Sequence, residues 1–314
     1  MGRYMGGVME QVDGAVAFIT GGASGMGLGM AQVFSRAGMR VVIADIRQEA
    51  IDAALRRFPA DNPGVFGVQL DVADRAAYVR AADAAELKFG KIHVLVNNAG
   101  IGIVGPLLAA TYADWDWGLA VNLGGVINGI QTILPRIRRH GEPGHIVTTS
   151  SMSGIFAAGL AGIYTTAKYA VVGLMESLRP ELEPHSIGVS AFCPGLVNTN
   201  IGDVDKLRPA EFRDSTYSAG AADRAAFMRE KIFPHGMSPI EIGERVLEGI
   251  RRNDLWILTH SEYREGAQQR FDAILASFPT DPAPPERVTA EAMVVRNPLF
   301  VAERERRLAQ RKKT

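Results

Sequence analysis

Short apolar runs recur along this chain with longer stretches of helical character between them. The runs are AVAFIT (15–20), RVVIAD (40–45), VFGVQLDV (65–72), HVLVNN (93–98), HIVTTS (145–150), GVSAFC (188–193) and LWILT (255–259). Each is nearly continuous in apolar content rather than alternating, as a strand covered on both faces must be. The stretch 74–89 repeats Ala77, Ala81, Ala84, Ala85 and Leu87 at helical spacing. Strand–helix alternation leaves few topologies, because right-handed crossovers place parallel strands in one sheet with helices on both faces. The seven runs therefore predict one doubly wound α/β domain over residues 1–260, built on a seven-stranded parallel sheet.

Two segments break that rhythm. Residues 200–237 form a long insertion after the sixth run, and a connection of that length is usually functional. It is expected to act as a substrate lid. It ends at SPIE, where Ser238 caps, Pro239 takes the first helical position and Glu241 completes a capping box, so a helix is expected over 239–252. Residues 261–314 hold five prolines between Pro279 and Pro298 and read as a C-terminal extension with too few apolar residues for a core of its own.

Directly after the first run comes TGGASGMG, Thr20 to Gly27. Gly21, Gly25 and Gly27 sit where a strand turns into a helix, and Ser24 and Met26 share that turn. Glycines there let backbone N–H groups approach a pyrophosphate at the positive end of the helix. This makes the fold Rossmann-type and the ligand a dinucleotide. Asp45 closes the second run, eighteen residues past Gly27, with Ile46 beside it. An acid there accepts hydrogen bonds from the adenosine ribose and repels a 2′-phosphate, which favours NAD. Arg47, two residues on, is the feature an NADP-dependent protein would use, and it keeps NADP open.

YTTAK at 164–168 puts a phenol and an ammonium one helical turn apart, on one face. Neither is a useful base at neutral pH by itself. A fixed positive charge beside a phenol favours the phenolate, so Tyr164 with Lys168 is a candidate acid/base unit. Moving a hydride between an alcohol carbon and an oxidised nicotinamide leaves a proton to be handled, and this pair can handle it.

These residues resemble the short-chain dehydrogenase/reductase superfamily over residues 12 to 200, and more loosely to 260. The spacing of TGGASGMG is the family's Thr-Gly-x-x-x-Gly-x-Gly form. LDV at 70–72 resembles its adenine-contacting segment, with Asp71 and Val72. NNAG at 97–100 resembles its fourth-strand motif, with Asn98, Ala99 and Gly100 along the cofactor and Asn97 bracing the sheet. CPGLVNT at 193–199 is similar to its Pro-Gly-x-Val-x-Thr stretch; Pro194 and Gly195 would line the cofactor, and Val197 and Thr199 would fix the nicotinamide amide. The resemblance implies an Asn-Ser-Tyr-Lys catalytic group, matched by Asn122, Ser151, Tyr164 and Lys168. Ser151 lies thirteen residues before Tyr164, the family spacing, and is preferred to its neighbour Ser150. Ser151 would stabilise developing alkoxide charge, Lys168 would also hold the cofactor ribose, and Asn122 would anchor a water that links Lys168 to solvent.

The segments expected around the nicotinamide are apolar or small and offer Ile101, Ile103, Val104, Phe156 and Leu160. They suit an uncharged, bulky, aromatic secondary alcohol or ketone. The insertion, the extension and the stretches PGHIVTTSS, GVINGI and KLRPAEF are similar to a narrower group. These are the Cα-dehydrogenases of lignin-type β-aryl ethers and the dehydrogenases of bulky ketones; steroid and terpene alcohols stay open. The alternatives are an NADPH-dependent ketone reductase, a non-catalytic dinucleotide sensor and a nucleotide-sugar epimerase. A sensor has no need of Ser151, Tyr164 and Lys168 together, and an epimerase usually carries a larger sugar-binding C-terminal domain.

Formal net charge is zero, with no electrostatic footprint for nucleic acid. One cysteine, Cys193, excludes an intramolecular disulfide and fits the reducing cytoplasm. Six scattered histidines give no metal-ligand spacing, and no apolar run reaches a membrane span. The N-terminus lacks a signal-peptide core, and Gly6 breaks the myristoylation pattern. The stretch 164–182 is apolar on more than one side through Val171, Val172, Leu174, Met175 and Leu178, which together with the resemblance predicts a homodimer or homotetramer.

Overall fold

A computed structural model describes residues 9–157, 159–199, 201, 208–212, 217, 223, 226–295 and 298–311. Seven strands form one sheet in the order β3-β2-β1-β4-β5-β6-β7, and every neighbouring pair is parallel. They are β1 (Val16–Thr20), β2 (Arg40–Asp45), β3 (Val65–Gln69), β4 (Val94–Asn97), β5 (Gly144–Thr149), β6 (Ile187–Cys193) and β7 (Trp256–Leu258). The order reverses between β1 and β4. At such a switch point the connections leave in opposite directions and open a crevice at the strand C-termini.

Every residue of β1, β4, β5 and β6 is buried, as their continuous apolar runs require. The third run is shorter than its sequence suggests, because β3 stops at Gln69. Leu70 N still reaches Asp45 O at 2.8 Å, and Asp71 then turns the chain by accepting from Ala73 N at 2.9 Å. Helices α1 (Gly25–Arg36), α2 (Gln48–Leu55) and α3 (Arg75–Phe89) follow the first three strands. Asp74 caps α3 by accepting from Ala76 N and Ala77 N.

Between β4 and β5, α4 (Tyr112–Leu119) runs through a π-helical turn, Ala120–Gly124, into α5 (Gly125–His140). Helix α6 (Gly162–Leu182) precedes β6, and α7 (Pro239–Arg252) precedes β7. Ser238 caps α7 from Glu241 N at 3.1 Å as expected, but the Glu241 carboxylate turns to Arg245 at 2.7 Å instead of closing the box. A guanidinium one turn along offers it a charge-assisted partner.

The chain divides into two compact units, the first ending at Ser261 and the second starting at Glu262. The second carries the helices Arg264–Ala276, Pro285–Val295 and Pro298–Arg311. On the first of these and just after it, Phe271, Ile274, Leu275 and Phe278 are exposed at helical spacing. Among the described residues no helix is long and apolar enough to cross a membrane, and no acidic, histidine or cysteine cluster could hold a metal.

Helices α1 and α7 pack backbone to backbone. A Cβ on Gly29 would fall 2.0 Å from Pro239 O, and one on Gly243 would fall 2.7 Å from Gly29 O. Gly29→Ala is therefore expected to cost about 2 kcal/mol or more in urea denaturation, the usual scale of overpacking. Unchanged stability would mean that the two helices are not in backbone contact.

Candidate active site

The first strand ends in Thr20, whose hydroxyl accepts from Asn98 N at 3.0 Å and Ala99 N at 3.1 Å. Asn98 replies with its own amide, donating to Thr20 O at 3.1 Å and Gly21 O at 3.3 Å. The glycine turn and the NNAG segment are thereby stitched across the switch point. Gly21 has φ +60°, and a Cβ there would lie 2.9 Å from Ala99 Cα; one on Gly27 would lie 2.0 Å from Gly21 O. Only glycine allows this closure. Ser24 stands at the N-cap of α1 without capping it, and no acid lies in the first turn. Uncapped N–H groups at a helix N-terminus in a side-chain-free cradle fit a pyrophosphate.

Asp45 is buried at the end of β2, and its carboxylate accepts from Ala23 N at 3.4 Å and Arg47 N at 3.2 Å. Arg47 folds back on it, with Nε 3.6 Å from Oδ1, and the neighbouring Ile46 is exposed. Asn97 braces the sheet, as expected, between Tyr78 and Thr148, each at 3.3 Å. Val72 is buried, and its carbonyl accepts from Asn128 Nδ2 at 2.9 Å.

Strand β5 delivers the reactive end. Lys168 is buried on α6, and its ammonium donates to Thr149 O at 2.8 Å. Ser150 is spent structurally, donating to Lys168 O at 2.8 Å. Ser151 accepts from Ser153 N at 3.0 Å and lies near enough to the Tyr164 phenol to favour its charged form. Ser150 is thus occupied by the α6 backbone, while Ser151 is the serine whose hydroxyl acts on the phenol.

The phenol itself departs from expectation. Burial pushes the Tyr164 pKa above its ordinary value, and the Ser151 hydrogen bond only partly opposes that. Burial also brings Lys168 down to about 8. Its ammonium lies 5.4 Å from the Tyr164 ring centre and is turned to Thr149 O, so in the chain alone it does not lower the phenol. Desolvation wins over one cation at that distance. Burial pushes the Cys193 thiol up to about 12, which makes it an inert neighbour.

Asn122 lies in the π-helical turn, fully buried. It accepts from Ile101 N at 2.9 Å and donates to Ile101 O at 3.0 Å, a brace that its sequence pattern does not announce. A Cβ on Gly100 would meet Asn122 Oδ1 at 2.9 Å and Lys168 Nζ at 3.7 Å, so these three residues converge. Ile103 is wholly buried and Ile101 nearly so, and both fill core instead of lining an open pocket. Val104 and Leu160 are exposed, Leu160 in a left-handed conformation at φ +61°.

Sequence reasoning passes over His260. It accepts from Gly195 N at 3.0 Å on Nδ1, is 2.8 Å from Thr259 Oγ1, and pairs through Nε2 with Leu196 O at 2.9 Å. With Nδ1 accepting, Nε2 is the ring nitrogen that donates, to Leu196 O. The ring holds the Pro194–Val197 segment against the end of β7. No motif marks it; only the pairing of β6 with β7 brings it there. Arg208 and Asp114 are missed as well. They form a buried ion pair at 2.8 Å between the insertion and α4, with the Arg208 guanidinium 4.6 Å from the Trp117 ring centre.

Fold and site together define a dinucleotide-dependent oxidoreductase. The chain belongs to the short chain dehydrogenase family, whose sequence model matches residues 15–208. It acts on alcohols and ketones with a nicotinamide dinucleotide, NAD(P), as cofactor. A C alpha-dehydrogenase of Sphingobium sp. (strain NBRC 103272 / SYK-6) is 42% identical over 289 residues, 91% of this chain and 94% of that protein. The LigO apo form from Sphingobium sp. strain SYK-6 is 40% identical with TM-score 0.74, covering 92% of this chain and 99% of that one. A short chain dehydrogenase/reductase from Burkholderia phymatum, solved in complex with NAD, is 33% identical with TM-score 0.80 over 87% and 99% of the two chains. The narrower resemblance to Cα-dehydrogenases is thus matched in both sequence and structure.

Because burial lowers the Lys168 pKa, the unfolded chain binds the extra proton between pH 8 and 10.5, and folding stability rises with pH across that window. Relative to Lys168→Met, the wild-type protein should gain on the order of 3 kcal/mol from pH 8 to 10.5, read from paired urea titrations. A parallel pH dependence in the two proteins would place the ammonium in water.

Proposed function

We propose that the protein interconverts a bulky aromatic secondary alcohol and its ketone, using NAD and Tyr164 as the acid/base. The carrying observation is the wall beside the phenol. Tyr164, Trp115 and Phe212 lie part-exposed over a buried core of Ile101, Ile103, Trp117, Ile163 and Tyr217, so the part-exposed rings form the wall and the core backs it. An apolar, aromatic surface next to the proton-transfer group suits an aryl carbinol better than a sugar or a carboxylate. The similarity to the Sphingobium C alpha-dehydrogenase supports the same reading. For the cofactor, the Asp45 carboxylate, buried and held by Ala23 N, favours a ribose hydroxyl over a 2′-phosphate.

When bound, NAD supplies the hydride acceptor and a positive charge over the site. Tyr164 then sits in the field of two cations, and the alkoxide-forming proton passes from the substrate hydroxyl to the phenolate oxygen; in the reverse direction the phenol returns it. Ser151 donates a hydrogen bond to the substrate oxygen and stabilises its developing charge. Lys168, anchored at Thr149 O, keeps its charge near the phenol and reaches the ribose. Asn122 holds Ile101 and Gly100 in place and anchors the proton path. Asp71, Val72, Asn98, Ala99, Gly100, Pro194, Gly195, Val197 and Thr199 would line the cofactor. We assign the insertion 200–237, of which residues 200, 202–207, 213–216, 218–222, 224 and 225 lie outside the described residues, to the substrate. We assign the half-buried Leu174 and Leu178 on α6 to a contact with a second copy of the chain, since Val171, Val172 and Met175 are used in the chain's own core. The buried thiol of Cys193 fits a reducing, cytoplasmic setting.

The test is initial rates on 1-aryl secondary alcohols with NAD and NADP side by side. Turnover with NAD is expected, and a preference for NADP would move the reading to a ketone reductase using Arg47. Tyr164→Phe should lower kcat by about a thousandfold while NADH affinity is kept. Near-normal turnover in that variant would remove the tyrosine from the mechanism.

A further inference from the structure

The wall beside Tyr164 is built from two distant parts of the chain, and one side chain ties them together. Arg208 donates to Asp114 Oδ1 at 2.8 Å and to Phe212 O at 2.8 Å, with its guanidinium over the Trp117 ring. Both partners of the ion pair are buried, Arg208 at 6% exposure and Asp114 at 0%. Asp114 divides its two oxygens. Oδ2 closes the N-terminus of α4 by accepting from Thr111 N at 2.9 Å and Thr111 Oγ1 at 2.7 Å, which leaves Oδ1 for Arg208. Helix α4 is pressed on α6 beside the phenol, since a Cβ on Gly118 would fall 2.7 Å from Ile163 Cγ2.

We propose that Arg208 and Asp114 are specificity-determining positioning residues. They latch the Arg208–Phe212 end of the insertion onto α4, and so set the aromatic wall against which a bulky substrate packs. The proposal rests on the alcohol dehydrogenase reading of the same site. A buried ion pair is a poor source of net stability but a strict source of geometry, because neither charge tolerates being left unpaired. A planar fork serves a carboxylate, a carbonyl and an indole face at once, which a lysine cannot do. The latch's named contacts, to Thr111, Phe212 and Trp117, lie outside the glycine cradle and away from Ser151, Tyr164 and Lys168. Its loss should therefore fall on large substrates and spare the cofactor and small ones.

The experiment compares wild type with Arg208→Met, Asp114→Asn, the double variant and Arg208→Lys. Measured for each are kcat/KM on a β-aryl ether carbinol and on 1-phenylethanol, NADH affinity, and amide exchange over 111–119 and 208–217. Each single charge removal should lower the ratio of large to small kcat/KM by about tenfold or more, leave NADH affinity within about twofold, and speed exchange in both segments. The double variant should be no worse than either single one, the mark of two residues acting as a unit. Arg208→Lys, which keeps the charge, should fall between. Equal losses on both alcohols with weakened NADH binding would overturn the proposal in favour of a general structural role, and unchanged selectivity with unchanged exchange would overturn it outright. If the wild type turns over neither alcohol but exchange still rises in the variants, the latch stands and the aryl-alcohol reading fails.

Discussion

A buried ammonium at the end of β5 is the constraint around which this molecule is organised. Lys168 could lower its energy by reaching water or losing its proton, and burial already brings its pKa down to about 8. What retains it is a backbone carbonyl, Thr149 O, at the C-terminal edge of a strand buried along its whole length. That carbonyl is available because β5 ends there and the chain turns away through Ser150 and Ser151. The same turn gives Ser150 to the backbone of Lys168 and Ser151 to the phenol of Tyr164. One strand end thus fixes the Lys168 ammonium and the hydroxyls of Ser150 and Ser151 beside the Tyr164 phenol.

Around that centre, polar residues divide into those that hold and those that remain for chemistry. Thr20, Asn97, Asn98, Asn122 and His260 have their side chains engaged by backbone or by one another across different strands. They make the crevice rigid before any ligand arrives, and preorganisation of this kind keeps dipoles from having to reorient during reaction. Tyr164 and Ser151 are left facing each other at an apolar wall. In the chain alone the phenol is the more stable form. On the proposed reading the phenolate is reached only when a bound positive charge is added, a different balance from one in which Lys168 activates the tyrosine unaided.

Much of this was legible in the sequence for physical reasons. Continuous apolar runs identify doubly covered strands, and all seven appear in the sheet. Gly21 and Gly27 are constrained by close approach and Gly25 by its positive φ, so their spacing encodes a shape. Tyr164 and Lys168 are one helical turn apart, so their proximity follows from helix geometry. Residues whose roles depend on non-local approach were not legible. His260 reaches Gly195 only because β7 pairs with β6, and Arg208 finds Asp114 across 94 positions of sequence. The strength of desolvation at Tyr164 was missed for the same reason, since burial is a property of the assembled fold. Ile103 shows the converse error: an apolar residue in a segment near the site was read as pocket, and the fold uses it as core.

The central claim is that this crevice moves a hydride between an aryl carbinol and a nicotinamide. The most direct measurement is isotopic: incubate the protein with NAD and a 1-aryl secondary alcohol deuterated at the carbinol carbon, then locate the deuterium by NMR. The account predicts deuterium at C4 of the reduced nicotinamide, on one face only, together with the ketone. Ketone without deuterium in the cofactor, or a cofactor that binds and is never reduced by an aryl carbinol, would contradict it.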